Sequence, residues 1–204
     1  MRHVRFVAGF AAGCATVLLA AAAINAQDPP EMSDEQMQQL FENFINPGPE
    51  HEQLARRAGN WNVTTEFWMA PDTEPVSSTG TANYEMAMGG RYLLGHHNGT
   101  MMDQPFEGAG CTGYDRVQKK YVNIWIDSMG TGIMFSEGQA KDAAGKVVEF
   151  VGTSSDPFSG GVVTLRMVEK EIDSDNFVME MYGSDPTQPG KDFLTLRVTY
   201  KRAE

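Results

Sequence analysis

The sequence contains very little cysteine. Its two cysteines are Cys14 and Cys111, and Cys14 lies in an N-terminal segment that we expect to be removed. Cys111 then remains alone, which excludes a disulfide within the chain. The domain must therefore be held together by a hydrophobic core, which a chain of this length can supply.

Positive charge is scarce as well. The chain has 16 lysines and arginines against 27 aspartates and glutamates, a formal net charge of −11. Nucleic acids and anionic membrane surfaces repel such a chain, so we expect neither as a partner. The G-x-S-x-G, phosphate-loop, H-E-x-x-H and C-x-x-C motifs are also absent. Enzymatic activity is left open, and a non-enzymatic role is the simpler hypothesis.

A long apolar run occurs only at the N-terminus. Arg2 and Arg5 precede it, and it ends at Ile24-Asn25-Ala26, a small-residue cleavage pattern. This arrangement predicts a signal peptide over residues 1–26 and a periplasmic or secreted protein without stable membrane insertion after cleavage. The alternative is a retained anchor, because about 20 apolar residues can span a bilayer.

Residues 27–50 are predicted to form an N-terminal segment with one amphipathic helix. Ser33 and Gln36 have the spacing of a capping box. The apolar residues that follow recur at helical spacing and form one stripe: Met37, Leu40, Phe41, Phe44 and Ile45. We expect this stripe to pack on its own domain, at one end of the β-barrel that the rest of the sequence predicts, although it could also dock on a partner protein. A second short helix follows, with Gly59 as its C-cap.

Residues 51–204 are predicted to form the main domain, whose pattern changes at Trp61. Apolar and polar residues alternate from there on, and turn residues recur about every ten positions. About ten strands with short connections indicate an all-β fold, an antiparallel up-and-down β-barrel with one or two short N-terminal helices. Closure is favoured because an open sheet of this size would leave two long edges.

The more apolar face of each strand is assigned to the interior. That face bears no charge and is rich in methionine and aromatic residues, which suits a small apolar ligand, although a fully packed barrel is equally compatible. The predicted interior residues are Trp61, Val63, Phe67, Ala82, Tyr84, Met86, Met88, Ile133, Phe135, Val148, Phe150, Val163, Leu165, Met167, Phe177, Met179, Met181, Leu194, Leu196, Val198 and Tyr200.

The strand YVNIWIDSM resists this assignment. One face carries Val122, Ile124 and Ile126, and an interior made of these residues is the default expectation. The other face carries Tyr121, Asn123, Trp125 and Asp127, which would place an aromatic wall and a carboxylate inside the barrel. That carboxylate would need a partner such as Arg91, or would take up a proton.

The stretch GHHNGTMMDQPFEG has the residues of a metal or catalytic site. His96 and His97 are strand neighbours, however, and point to opposite faces, so they cannot bind one ion together. We expect no metal and no cofactor, and we interpret the stretch as a hairpin that turns at Asp103-Gln104-Pro105. An acid–base pair between Asp127 and His96 or His97 stays possible because meander strands lie close together.

Several segments together resemble a known family. AGNWNV, STGTANYEMAMGGRYLLG, MMDQPFEGAGCTGYD and KKYVNIWIDSM are similar to the exported bacterial family called domain of unknown function 1579, over residues 51–201. The resemblance implies a lipocalin-like (calycin-type) barrel, in which Trp61 closes the floor and packs against a basic residue of the last strand. The candidates for that residue are Arg197, Lys201 and Arg202. Haem, which distantly similar barrels bind through a late histidine, is not expected, because no histidine follows His97.

The leading hypothesis is a binding protein for a small apolar molecule. Its alternatives are a barrel enzyme with an Asp/His pair and an interaction protein with a packed barrel. The predicted ligand-binding residues are Trp61, Tyr84, Met86, Arg91, Tyr121, Trp125, Asp127 and Met179.

Overall fold

The structure is a computed structural model that describes residues 32–157, 160–185 and 187–204. The predicted signal peptide, over residues 1–26, and the alternative of a retained anchor lie outside these ranges. Within them, every helix is too short or too polar to cross a bilayer.

The first helix, α1, spans Asp34–Ile45. The predicted capping box is confirmed: Ser33 N–H donates to Gln36 Oε1 at 2.9 Å, and Gln36 N–H donates to Ser33 Oγ at 3.2 Å. No residue of α1 is buried, and Phe44 remains 66% exposed. The packing of its apolar stripe on the barrel stays a prediction.

That second helix, α2, spans Pro49–Ala55. Proline suits the first turn, where its missing N–H costs no hydrogen bond. The imidazole Nδ1 of His51 accepts a hydrogen bond from Gly48 N–H at 3.0 Å and so caps this turn. The helix ends before Gly59. The predicted role of Gly59 as C-cap is wrong, because Gly59 has a φ of 127° and is the first residue of the following strand.

Ten antiparallel strands form a closed barrel in which every strand pairs with its sequence neighbours and the last strand pairs with the first. The predicted fold class is confirmed. The strands are β1 Gly59–Phe67, β2 Val76–Ala87, β3 Tyr92–Met101, β4 Gln104–Asp115, β5 Lys120–Asp127, β6 Met134–Ala140, β7 Val147–Asp156, β8 Gly161–Glu171, β9 Asn176–Ser184 and β10 Asp192–Arg202.

The β1–β10 seam closes the barrel as the resemblance implies. Trp61 pairs with Arg202, and the guanidinium carbon of Arg202 lies 4.2 Å from the centre of the Trp61 ring. The indole N–H of Trp61 donates to the Arg57 carbonyl at 2.9 Å. Gly59 suits this position because its φ of 127° is one that residues with a side chain rarely adopt.

The barrel has two different ends, which we call the closed end and the loop end. At the closed end, Leu54 of α2 is buried in a cluster with Leu93, Tyr121, Val148, Phe150 and Met167. The Tyr121 hydroxyl donates to Gln53 Oε1 at 2.7 Å, which fixes α2 to β5. The loop end is surrounded by the connections that follow β1, β3, β5, β7 and β9.

Among the predicted interior residues, Met88, Ile133 and Phe135 do not face the interior. Met88 lies in a turn with φ of 51°, and Ile133 precedes β6, so neither belongs to a strand face. Phe135 is on β6 but faces outward, while Ser136 is buried. Gly138 explains this orientation: a Cβ there would lie 2.6 Å from the Phe150 ring, so this face must meet the interior aromatic.

Candidate ligand site in the barrel interior

The face of β5 that carries Tyr121, Asn123, Trp125 and Asp127 lines the interior. Ile124 and Ile126 lie outside and are 44% and 49% exposed. The default expectation of an aliphatic interior is therefore wrong. Its physical reason lies on the neighbouring strand β4, where glycines occupy the positions that the inward indole covers.

Trp125 lies flat against the inner wall formed by β4. A Cβ on Gly108 would be 2.4 Å from Trp125 Cζ2, and one on Gly110 would be 3.0 Å from Cε3. The indole N–H donates to Asp127 Oδ2 at 2.7 Å, which holds the ring along the strand. The largest interior side chain on this wall thus lies along the wall and extends little towards the barrel axis.

Asp127 obtains its hydrogen bonds locally. Besides the Trp125 indole, its Oδ1 accepts from Met129 N–H at 2.9 Å. The expected partner, Arg91, lies instead at the closed end, where it donates to the carbonyls of Met88 and Ile45. The predicted pairing of Asp127 with Arg91 is therefore wrong. Arg91 lies at the closed end, where β3 begins, and Asp127 lies at the loop end, where β5 ends.

His97 is an interior residue, whereas its neighbour His96 is exposed, as strand alternation requires. The His97 Nε2 atom lies 3.0 Å from the Tyr84 hydroxyl, and the His97 and Trp125 rings are nearly perpendicular with centroids 4.9 Å apart. Burial, aided by the charge of His96, lowers the pKa of His97 to about 4. The imidazole is therefore neutral at physiological pH.

Two tyrosines extend this polar chain towards the closed end. The Tyr84 and Tyr200 hydroxyls interact with each other, and burial raises the pKa of both well above the ordinary value. Tyr200 stacks on Phe177 with centroids 3.9 Å apart. Both phenols therefore stay protonated and serve as uncharged hydrogen-bonding groups.

An ion pair between Arg57 and Glu169 lies beyond the two tyrosines, at the closed end of the barrel. The Arg57 guanidinium also lies 5.3 Å from the centre of the Phe177 ring. Burial opposes the charged form of Arg57, but the attraction of Glu169 outweighs it and keeps the pKa of Arg57 above its ordinary value. The guanidinium of Arg57 therefore stays charged, and the ion pair is only partly exposed to water.

Three small polar residues on β4, β5 and β6 are direct cross-strand neighbours. Thr112 pairs with Asn123, which pairs with Ser136. Asn123 Nδ2 donates to Thr112 Oγ1 at 2.8 Å. Ser136 is 1% exposed, and its Oγ is buried without a hydrogen-bond partner among the described residues. Such an atom is costly unless something else satisfies it.

The structure separates the eight predicted ligand-binding residues into three groups. Tyr84, Trp125 and Asp127 share the interior with His97. Four residues pack in the clusters nearer the closed end, and Arg91 faces the turns there. Those four residues are Trp61, Met86, Tyr121 and Met179.

The prediction did not include His97 or Ser136 in the site. For His97 a signal exists in the sequence, because the inward alternation Leu93, Gly95, His97 runs along β3. Ser136 has no such signal. Alternation on β6 would place the apolar Phe135 inside and the polar Ser136 outside, which is the reverse of what the structure has. Its position follows only from the packing of Gly138 against Phe150.

The structure does not form the predicted acid–base pair. Asp127 bonds to Trp125 and Met129, and His97 bonds to Tyr84. His96 faces the opposite side of the sheet. Over the described ranges, the structure has no group of three or more histidines, cysteines or acidic residues that could hold a metal ion.

These features define a class: a closed ten-stranded antiparallel barrel with a helix across one end and an aromatic, polar interior. The chain belongs to the family described as "Protein of unknown function (DUF1579)", whose model matches residues 46–202. A redesigned β-barrel is a similar solved structure, with 15% identity and a TM-score of 0.39, covering 74% of this chain and 95% of that chain. No curated protein matches the sequence significantly.

Proposed function

We propose that this protein is exported and binds a small, largely apolar molecule in the interior of its barrel. The observation that carries the proposal is the position of Trp125, which lies against Gly108 and Gly110. Two successive inward glycines allow an indole to line the wall and to present its other face to the barrel axis. Aromatic faces of this kind are common in ligand pockets.

Methionines supply the adaptable part of the proposed site. Met134 on β6 is the direct cross-strand partner of Trp125, and Met134 and Met181 are partly buried against the cluster that contains Leu54. Methionine is flexible and polarizable, so these side chains can repack around an apolar guest. Because α2 covers the closed end, the ligand would enter at the loop end.

Binding is testable with N-phenyl-1-naphthylamine, an uncharged apolar dye whose fluorescence rises in apolar surroundings. We expect saturable binding by the full chain and quenching of protein fluorescence that is lost in Trp125→Phe. In Gly108→Ala the added methyl group forces the indole towards the axis, so affinity should fall about tenfold, in line with the cost of overpacking.

The matched controls lie outside the proposed site. Trp68→Phe removes a tryptophan that contacts Arg197 on the outer surface, and Ala109→Val enlarges the outer face of β4. Both should bind the dye like the unaltered protein. Equal binding by all four variants would place the dye elsewhere, and absence of saturable binding would refute the proposed function.

Export rests on the N-terminal pattern of Arg2, Arg5 and the apolar run that ends at Ala26. We expect the protein isolated from the periplasm or medium to have the intact mass of a chain that begins at Gln27. A mass that retains residues 1–26 would instead support the membrane-anchored alternative.

A further inference from the structure

The interior polar groups with unused hydrogen-bonding capacity are all uncharged. Ser136 Oγ is buried and unpartnered within the described residues. Asn123 uses its amide nitrogen on Thr112, which leaves Oδ1 unused, and His97 uses Nε2 on Tyr84, which leaves Nδ1 unused. Because Asn123 and Ser136 are direct cross-strand partners on one face, their side chains lie close enough to share one ligand group.

The charged groups of the interior, in contrast, already have partners. Asp127 accepts from the Trp125 indole and from Met129 N–H. Arg57 pairs with Glu169, and Arg202 bonds to Asp175 and to backbone carbonyls, all at the closed end. Among the described residues that line the interior, a ligand carboxylate would therefore find no cation without a partner, and burial of an unpaired charge is unfavourable.

Ser136 is accessible to a ligand only if its surroundings rearrange. Met134 precedes it on the same inward face of β6, and Met181 packs in the same interior cluster. Gly152 lies directly across from Ser136, and a Cβ there would be 2.6 Å from Ser136 Cβ. The β6 and β7 backbones thus approach closely on this side, and the flexible methionines are the groups that can move.

We infer that the barrel selects an uncharged apolar molecule bearing a hydroxyl group, which hydrogen-bonds to Ser136 Oγ and Asn123 Oδ1. A hydroxyl both donates and accepts, so it satisfies the two neighbouring atoms at once. This inference rests on the proposed function and specifies its ligand class. It also gives a reason for an otherwise costly buried hydroxyl in the middle of a β-barrel.

The experiment compares octan-1-ol, 1-chlorooctane, octanoate and octylammonium as competitors of N-phenyl-1-naphthylamine on the full chain. Octan-1-ol should bind about tenfold more tightly than 1-chlorooctane, in which chlorine replaces the hydroxyl, as expected for one or two net hydrogen bonds. Both charged compounds should compete more weakly than either neutral one.

Ser136→Ala provides the decisive variant, with Ser77→Ala on an exposed position of β2 as its control. Ser136→Ala should remove the preference for octan-1-ol over 1-chlorooctane and leave 1-chlorooctane binding unchanged. Without ligand, Ser136→Ala should be as stable as the unaltered protein or more stable, because it removes an unsatisfied buried hydroxyl. Ser77→Ala should change neither property.

The outcomes separate the two proposals. Failure of the dye itself to bind would refute the proposed function. Saturable dye binding with equal octan-1-ol and 1-chlorooctane affinities would refute the hydroxyl selection alone. Marked destabilisation of Ser136→Ala would show that the hydroxyl serves the folded structure through a buried water only, and would likewise overturn the inference.

Discussion

Replacing Arg57 with methionine is expected to lower the free energy of unfolding by about 3 kcal/mol, the lower end for a buried ion pair, because it leaves the partly buried Glu169 carboxylate without its partner. The side chains of Arg57 and Glu169 are 11% and 20% exposed, so water screens the lost charge poorly. Contact with the Phe177 ring is lost as well. Urea unfolding of the full chain, followed by far-ultraviolet circular dichroism, measures this change.

The adjacent Arg56 provides the matched control. It pairs with Glu171 at 2.9 Å, but its side chain is 43% exposed. Arg56→Met should therefore cost about 1 kcal/mol or less. In Arg57→Met combined with Glu169→Met, most of the stability should return, because no uncompensated charge remains. Equal losses in Arg56→Met and Arg57→Met would contradict the buried position of the Arg57 pair.

The second large effect concerns pH. Burial holds the pKa of His97 at about 4 in the folded protein, against 6.5 for an ordinary histidine. Below pH 6.5 the unfolded chain takes up a proton that the folded protein does not, so stability falls as pH falls towards 4. Integrated over this window, the loss is about 3 kcal/mol. Below pH 4 both states are protonated and this contribution levels off.

Substitution of His97 tests the assignment. The free energy of unfolding should fall between pH 7 and pH 5 in the unaltered protein and in His96→Gln, whose histidine is exposed. The fall should be much smaller in His97→Gln. His51 contributes in the same direction, because burial also lowers its pKa, so His51→Gln combined with His97→Gln should show the flattest profile. An unchanged slope in His97→Gln would refute the low pKa.

The barrel could be predicted from the sequence because its signals are local and repeated. Alternation with a period of two residues defines each strand, and short turns restrict each strand to pairing with its neighbours. The capping box of Ser33 and Gln36 likewise needs only residues three apart, and it forms as predicted. The predicted hairpin after β3 also forms, but it turns at Met102 and Asp103, which have positive φ. The predicted turn at Asp103-Gln104-Pro105 is displaced, because Gln104 and Pro105 already pair with β3 as the first residues of β4.

The candidate site was much harder to predict. On β5 hydrophobicity favours the wrong face, because Val122, Ile124 and Ile126 are more apolar than the face that carries Trp125 and Asp127. The choice depends on Gly108 and Gly110, which lie on another strand and leave space for an indole. The same holds for Ser136, whose inward position depends on the fit of Phe150 against Gly138. Both choices arise from contacts between strands, which a single strand's pattern does not contain.

The sequence by itself determined the number of strands, the order of their pairing and the family, because alternation, turns and the Gly-x-Trp segment are written along the chain. Only the tertiary structure decided that Trp125 faces inward, that α2 closes the barrel and that Ser136 lies inside. For Trp125 and Ser136 the reason is steric: each position follows from the fit of an aromatic ring against glycines of a neighbouring strand, and that fit exists only once the strands have paired.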